Sequence, residues 1–333
     1  MRLRFGALAL AAALTAVASP PASAQEAIKL TVAVVNANFA QYFIAQDKGY
    51  FKDEGLNVEV VVAPGGVATP GLLGGSVHYS GSPSSAMSAI LKGAPLKIIL
   101  VGQSRPIYEL WSFDPEVKTF DQLKGKLIAV GSRGGTDEIS VRMLLKQKNL
   151  PNDFVGFAPL GMGPTRMAAI VAGQQKFTLL SRTDKGQAAQ AGLIAKGHML
   201  SNVAREVELQ TGGIVTTEKE LAQNRDRARR ILRAVWKGTI YMRTEKEGTI
   251  AVMQNRLPQF ARAVIVRDVE GAIADVDADG VMDEATAARE LAVRAEVFGV
   301  ARDKVPPVER VYDFSIVRDV IRELATANWK PAM

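Results

Sequence analysis

Residues 36–62 read NANFAQYFIAQDKGYFKDEGLNVEVVV, and the apolar pattern changes twice within them. The preceding run LTVAVV is rich in β-branched residues, which predicts a strand. Asn38 is then suited to cap a helix, because Phe39, Phe43 and Ile44 share one helical face. The closing LNVEVVV predicts a second strand. Together these elements form a βαβ unit, whose right-handed crossover directs the first loop towards a crevice at the strand ends.

The phrase GYFKDEGLNVE at residues 49–59 resembles the solute-binding proteins of ABC importers for nitrate, sulfonates, taurine and thiamine precursors. A second phrase, DFSIVRDVIRELATANW at residues 313–329, is also similar to that family, and the resemblance covers most of the chain after residue 24. It implies an α/β fold, the two-lobe clamshell of type II periplasmic binding proteins, with a ligand cleft between the lobes. It also implies hinge closure on a small molecule and delivery to an ABC permease.

The first 24 residues have the pattern of a cleaved signal peptide. Arg2 and Arg4 precede a mostly apolar run, residues 5–18, and Ala22-Ser23-Ala24 provides small residues for cleavage. The run is shorter than the ~20 residues of a membrane-spanning helix. We therefore expect export, and with the resemblance a periplasmic location.

Composition excludes several classes of function. The chain has no cysteine, which rules out disulfides, a lipid-modified cysteine and thiol catalysis. Its formal net charge of +7 is scattered, apart from five arginines within residues 225–233. Those arginines lie on a helix predicted from Glu218 to Arg243, with acidic neighbours, which favours a solvated surface over nucleic-acid binding. We expect a monomer with no nucleic-acid partner.

The chain is long enough for two lobes, and its strand–loop–helix rhythm starts again near residue 120. The resemblance implies that the C-terminal helices return to the first lobe. The predicted division is a signal peptide at residues 1–24, lobe 1 from residues 25–113 with 210–333, and lobe 2 from residues 114–209.

Helix starts that face the crevice are the first candidate binding elements, because their free N–H groups attract anions. Ser82 precedes Pro83 at one such predicted start, and Ser84 and Ser85 add hydroxyl donors. The structural alternative for Ser82 is to cap the helix. Members of the resembled family use this turn for their ligands.

Three more candidates in lobe 1 lie near strand ends. Asn38 can orient a polar ligand group and Phe39 can form an apolar wall, although a helix cap and a packed side chain are their structural alternatives. Gln103 lies just beyond a strand predicted at residues 96–101. We include all three in the predicted site.

Arg133 is the leading candidate in lobe 2, where it precedes Gly134 and Thr136 at the start of a helix. A guanidinium there can hold a carboxylate or a sulfonate with two hydrogen bonds. The alternative is an exposed arginine that pairs with Asp137 and Glu138. Thr136 itself is predicted to cap this helix.

The last candidates lie further along lobe 2. Gly163 and Thr165 flank Pro164 at a third helix start, and Arg182 follows a strand predicted at residues 177–180. A surface position is the alternative for Arg182.

Signals for catalysis and metal binding are weak. DVDADG at residues 275–280 imitates the opening of a calcium loop, but Thr286 stands where an EF-hand needs a glutamate. His78 and His198 are too isolated for a zinc site or a catalytic triad. We predict no catalytic residue, no metal site and no cofactor.

The leading hypothesis is a periplasmic solute-binding protein that delivers a small organic anion, a sulfonate or a carboxylate, to an ABC permease. The alternative ligands are a pyrimidine, as in thiamine precursors, or an aromatic acid. Two other functional classes stay open: a ligand-presenting partner of a membrane receptor, and a periplasmic enzyme that uses only carboxylates.

Overall fold

The computed structural model describes residues 27–103, 105–161 and 163–332. The predicted signal peptide lies outside these residues. The described residues form two five-stranded sheets with helices packed around them, one sheet in each lobe. None of the described helices has the length and apolar character needed to cross a membrane.

The two sheets have matching topology. In each one, three parallel strands are followed by two strands paired antiparallel, in the orders β2-β1-β3-β10-β4 and β7-β6-β8-β5-β9. The strands are β1 Ile28–Val32, β2 Val58–Val62, β3 Tyr79–Ser80, β4 Leu96–Gln103, β5 Glu109–Ser112, β6 Leu127–Val130, β7 Gly156–Pro159, β8 Phe177–Leu180, β9 His198–Ser201 and β10 Gly212–Thr217.

Helices connect the strands and form the C-terminal part of lobe 1. They are α1 Ala40–Asp47, α2 Tyr50–Asp53, α3 Gly65–Gly74, α4 Pro83–Leu91, α5 Thr136–Gln147, α6 Pro164–Val171, α7 Arg182–Gln190, α8 Val203–Glu206, α9 Glu218–Gln223, α10 Arg225–Thr244, α11 Lys246–Arg256, α12 Arg262–Asp275, α13 Glu284–Val297, α14 Val308–Val311 and α15 Ser315–Thr326, with short 3-10 turns at Ala37–Phe39, Phe120–Leu123 and Arg302–Lys304.

The first crossing between the lobes comes earlier than predicted. β4 ends at Gln103 in the first sheet, and β5 pairs with β8 and β9 in the second. The boundary placed at residue 113 therefore assigned β5 to the wrong lobe. An apolar strand carries no mark of the sheet it joins, because its partners are distant in sequence. The chain returns to lobe 1 between Ser201 and Gly212.

Two local predictions near helix ends were wrong. The helix predicted from Glu218 to Arg243 is divided at Asn224, whose φ of −135° lies outside the helical region. Asn38 is not a helix cap either, because the Asn36 side chain accepts the Asn38 N–H at 3.1 Å. Asn36 and Asn38 have the same side chain, and Asn36 is the cap because the 3-10 turn begins directly after it, at Ala37.

Each lobe has its own hydrophobic core. Lobe 1 packs β1, β4 and β10 against α1, α10 and the C-terminal helices, whereas lobe 2 packs β6 and β8 against α5. In lobe 1, α10 comes close to α1, and a Cβ added at Gly238 would lie 2.2 Å from the Gln41 carbonyl oxygen. This packing fixes the helix that follows the first strand.

Gly238→Ala is therefore expected to destabilise lobe 1, because a backbone oxygen cannot move aside without separating the two helices. The loss in free energy of unfolding should be about 1–3 kcal/mol, the range for overpacking. Urea unfolding measures it, with Gly66→Ala as the control, since a Cβ there meets nothing within 4 Å. Equal midpoints for the two variants would contradict this account of the packing.

Candidate functional site

A cavity of about 60 Å³ lies between the lobes, where the carboxyl ends of strands from both sheets meet. Open α/β sheets bind ligands at such strand ends. We call it the interlobe cavity. Its walls are formed by Ala33, Val34, Asn36, Asn38, Phe39, Ser82, Ser85, Gln103, Ile107, Tyr108, Ser132, Gly135, Thr136, Asp137, Thr211 and Gly212.

Asn38 presents an unused polar group to this cavity. It is only 3% exposed, and neither its Oδ1 nor its Nδ2 has a hydrogen-bond partner among the described residues. Gln103 Nε2 donates to the Asn38 carbonyl at 3.1 Å, which fixes the turn. Because a buried amide without a partner costs stability, Asn38 is suited to bind a ligand.

Ser82 is a second unused group on the same wall. It holds the N-cap position of α4 with Pro83 at the first helical position, but its side chain makes no capping hydrogen bond. Its Oγ is buried, and no described residue pairs with it. Ser85 also lines the cavity. Ser84 does not, because its Oγ accepts a hydrogen bond from Arg294 at 3.1 Å on the inner side of the helix.

The start of α5 forms the opposite wall. Gly135 is the N-cap residue, so Thr136 is the first helical residue rather than the predicted cap. Asp137 Oδ2 accepts the Gly131 N–H at 2.5 Å, and Glu138 Oε2 accepts the Gly134 N–H at 2.8 Å. These two carboxylates already compensate the positive end of the helix.

Arg133 lies away from this wall. Its side chain is exposed, and it is not among the residues that line the interlobe cavity. It does not form the alternative ion pair either, because Asp137 pairs with Arg166 and Glu138 pairs with Arg142. Arg142 lies four residues after Glu138 on α5, a spacing that the sequence does show, whereas Arg166 lies on another helix and could not be identified from spacing.

Arg166 forms a buried cluster behind the cavity. It is fully buried, 2.8 Å from Asp137 and 2.9 Å from Asp184, so two carboxylates share one guanidinium. Burial raises the pKa of Asp137, and the attraction of Arg166 opposes this shift. Burial also raises the pKa of Tyr108, and repulsion from Asp137 adds a smaller increase. The Tyr108 hydroxyl therefore stays protonated.

A second, adjoining cavity of about 40 Å³ shares Val34, Asn36 and Tyr108 with the first. Gly163 lines it, as do Ser181, Thr183, Asp184 and Gln187. The adjoining cavity extends the site towards the starts of α6 and α7.

Three further predicted residues lie outside both cavities. Gly134 is buried, and its N–H donates to Glu138 at 2.8 Å. Thr165 is exposed on α6. Arg182 turns to lobe 1, where its guanidinium pairs with Asp275 at 2.6 Å. Asp275 therefore has a structural partner, and among the described residues no group of acidic or histidine side chains is arranged to hold a metal ion.

Sequence reasoning missed several residues of the interlobe cavity. Tyr108 and Ile107 lie on the first crossing, and Thr211 and Gly212 lie on the second. The misplaced crossing is one reason why the first pair was missed. Ser132 follows β6 in the same loop as Arg133, and only the backbone geometry distinguishes which of the two faces inward.

The charge distribution in the interlobe cavity differs from the predicted one, which included Arg133. No lysine or arginine of the described residues lines it, and its single carboxylate, Asp137, is held by Arg166 and two backbone N–H groups. The remaining polar groups are amides and hydroxyls. Such a lining offers hydrogen-bond donors and acceptors but no basic side chain from the described residues.

Arg166→Met should destabilise the protein by about 3–5 kcal/mol, the range for leaving a buried charge without its partner. Because the pKa of Asp137 is already raised by burial, the variant should regain stability as the pH falls towards the ordinary Asp range. Chemical unfolding at several pH values measures both effects. Arg133→Ala is the control and should unfold like the wild type. A loss for Arg166→Met that does not change with pH would contradict the shared-guanidinium account.

Comparison with protein families gives a match over residues 36–248 to the model described as NMT1/THI5 like. A search of curated protein sequences gives no match.

Solved structures share the fold at low sequence identity. A protein of Bordetella bronchiseptica RB50 is 18% identical with a TM-score of 0.75, and the match covers 90% of this chain and 98% of that one. The periplasmic nitrate-binding protein NrtA from Synechocystis PCC 6803 is 16% identical with a TM-score of 0.70, covering 92% and 90%. The putative sulfonate-binding protein SsuA from Methylobacillus flagellatus KT is 17% identical with a TM-score of 0.66, covering 92% and 98%.

These matches confirm the predicted α/β clamshell and the resemblance seen in the sequence. The family match spans more than half of the chain, and the two sheets with strand ends facing one cavity fit the fold of those structures. The chain belongs to the NMT1/THI5-like family and has the two-lobe fold of ABC-type periplasmic solute-binding proteins.

Proposed function

We propose that this protein is the periplasmic solute-binding component of an ABC importer and that it encloses its ligand in the interlobe cavity. The observation that carries the proposal is a pair of buried polar side chains on the lobe 1 wall, Asn38 and Ser82, for which no described residue supplies a hydrogen bond. The start of α5 supplies groups from lobe 2. A ligand that bonds to both walls stabilises the closed arrangement relative to the open one.

The proposed ligand is a small, neutral, polar molecule, with a pyrimidine-type heterocycle as the model compound. Amide and hydroxyl groups line the cavity, and a ring nitrogen or an exocyclic amine can pair with both. The sulfonate or carboxylate expected from sequence depended on Arg133, which is exposed outside the cavity. The remaining support for an anionic ligand comes from the helix starts. At α5, Asp137 and Glu138 already compensate the positive end of the helix.

The proposed role is binding without turnover. Asp137 and Asp184 reach the two cavities, but each is held by Arg166 and by further hydrogen bonds, as expected for structural carboxylates. The proposed setting is the periplasm, reached through the signal peptide predicted at residues 1–24. The proposed partner is a membrane permease, which receives the ligand from a monomer.

A thermal-shift screen of residues 25–333 tests the ligand class. Pyrimidines, aromatic acids, sulfonates, carboxylates and nitrate are compared at saturating concentration. We expect a neutral heterocycle to raise the melting temperature, because a ligand that binds only the folded state stabilises it. A shift with sulfonates or nitrate alone would contradict the neutral-ligand proposal, and turnover of any compound would contradict the transport role.

Asn38→Ala and Ser82→Ala test the site itself. Each should weaken binding of the compound found in the screen by about fivefold or more, the equivalent of about one hydrogen bond. Neither should lower the melting temperature of the ligand-free protein, because neither side chain has a hydrogen bond to lose within the part of the chain that the structure describes. Isothermal titration calorimetry measures the affinity, with Arg133→Ala as a control that leaves it unchanged. If both variants bound the compound as tightly as the wild type, the ligand would have to bind elsewhere on the protein.

A further inference from the structure

A second contact joins the lobes beside the cavities, between one face of α12 and the first turns of α7. The α12 residues recur at helical spacing, at positions i, i+4, i+7 and i+11, so they form one continuous stripe. α12 packs in the core of lobe 1, whereas α7 follows β8 of lobe 2. We call this contact the α7–α12 seam, and it consists of Val264, Asp268, Gly271 and Asp275 from α12 with Arg182, Thr183 and Gly186 from α7.

Asp268 connects the two lobes through one oxygen atom. Its Oδ2 accepts the Thr183 hydroxyl of lobe 2 at 2.8 Å and the Ala37 N–H of lobe 1 at 3.1 Å. Asp268 is only 3% exposed, so both bonds are shielded from water. Ala37 immediately precedes Asn38, which places this carboxylate directly behind the ligand-binding turn.

Two glycines allow the helices to approach. A Cβ added at Gly271 would lie 2.2 Å from Arg182 Nε, and one added at Gly186 would lie 2.7 Å from Val264 Cγ1. Glycine inside a helix costs roughly 0.5–1 kcal/mol relative to alanine. Neither glycine has a positive φ, so the need for space, rather than backbone conformation, explains them.

The Arg182 guanidinium completes the seam. It lies across Gly271 and pairs with Asp275 at 2.6 Å, and both groups are partly shielded from water. The ion pair and the Asp268 hydrogen bond both connect α12 to the first turn of α7. Both break if the lobes swing apart at this edge.

We propose that the α7–α12 seam is the closing contact of the clamshell and that Asp268 is a positioning residue for Asn38. The proposal rests on the proposed function, since closure matters only for a protein that encloses a ligand. The seam holds part of the population closed without ligand, because its bonds form between the lobes themselves. Opening removes the Thr183 donor from Asp268 and loosens the turn that carries Asn38, so closure and ligand binding favour each other.

The test measures the distance between the lobes in the ligand-free protein. The chain has no cysteine, so Lys52→Cys in lobe 1 and Lys124→Cys in lobe 2 attach two spin labels at exposed, defined positions. Pulsed electron–electron double resonance then gives the distribution of distances between the two spin labels. The wild-type background should show a closed population beside an open one.

Thr183→Val removes the hydroxyl donor and preserves the shape of the side chain. It should lower the ratio of closed to open molecules by about fivefold, the equivalent of one hydrogen bond. Gly271→Ala should displace Arg182 and lower the ratio by at least as much. Alanine also favours the helix, so the melting temperature of this variant should not report a folding defect.

Gly74→Ala on α3 is the matched control, because a Cβ there meets nothing within 4 Å. Its distance distribution should equal that of the wild type. A wild type that is entirely open without ligand, or identical distributions in both seam variants and the control, would overturn the proposal. The measurement uses no ligand, so its failure is distinct from a failed ligand screen.

Discussion

Buried polar groups need hydrogen-bond partners, and this constraint makes the cavity between the lobes the candidate ligand site. Asn38 and Ser82 lie at the carboxyl end of the first sheet and are almost fully buried, and their side chains have no hydrogen-bond partner among the described residues. A folded chain bears the cost of unpaired buried groups where a ligand is to bond with them. The nearby serine that does find a protein partner, Ser84, faces Arg294 instead of the cavity.

The matching sheets explain how this constraint is met from two sides. Both sheets have the same strand order and direct the ends of their parallel strands towards one cleft. The chain then crosses twice between them, so the cavity is also lined by the crossing residues Tyr108 and Thr211. The α7–α12 seam adds a proposed contact between the lobes, which breaks when the lobes move apart.

Local pattern predicted the parts of the fold that depend on neighbours in sequence. The bounds of β8 and the start of α6 at Pro164 agree with the structure. Contacts between residues that are distant in sequence could not be predicted from local pattern. The sheet that β5 joins depends on β8 and β9, and the partner of Asp137 is Arg166, which lies on another helix. Asn38, Ser82 and Gln103 line the cavity, and each was predicted from its place near a strand end or a helix start.

The central claim is that one small molecule lies between the two lobes and contacts both. A crystal structure of the protein with a bound compound tests it most directly. Electron density for the compound is expected within hydrogen-bonding distance of Asn38 and Ser82 on one side and of the loop at residues 132–136 on the other. Density on an outer surface, or against one lobe alone with the other lobe swung away, would contradict it.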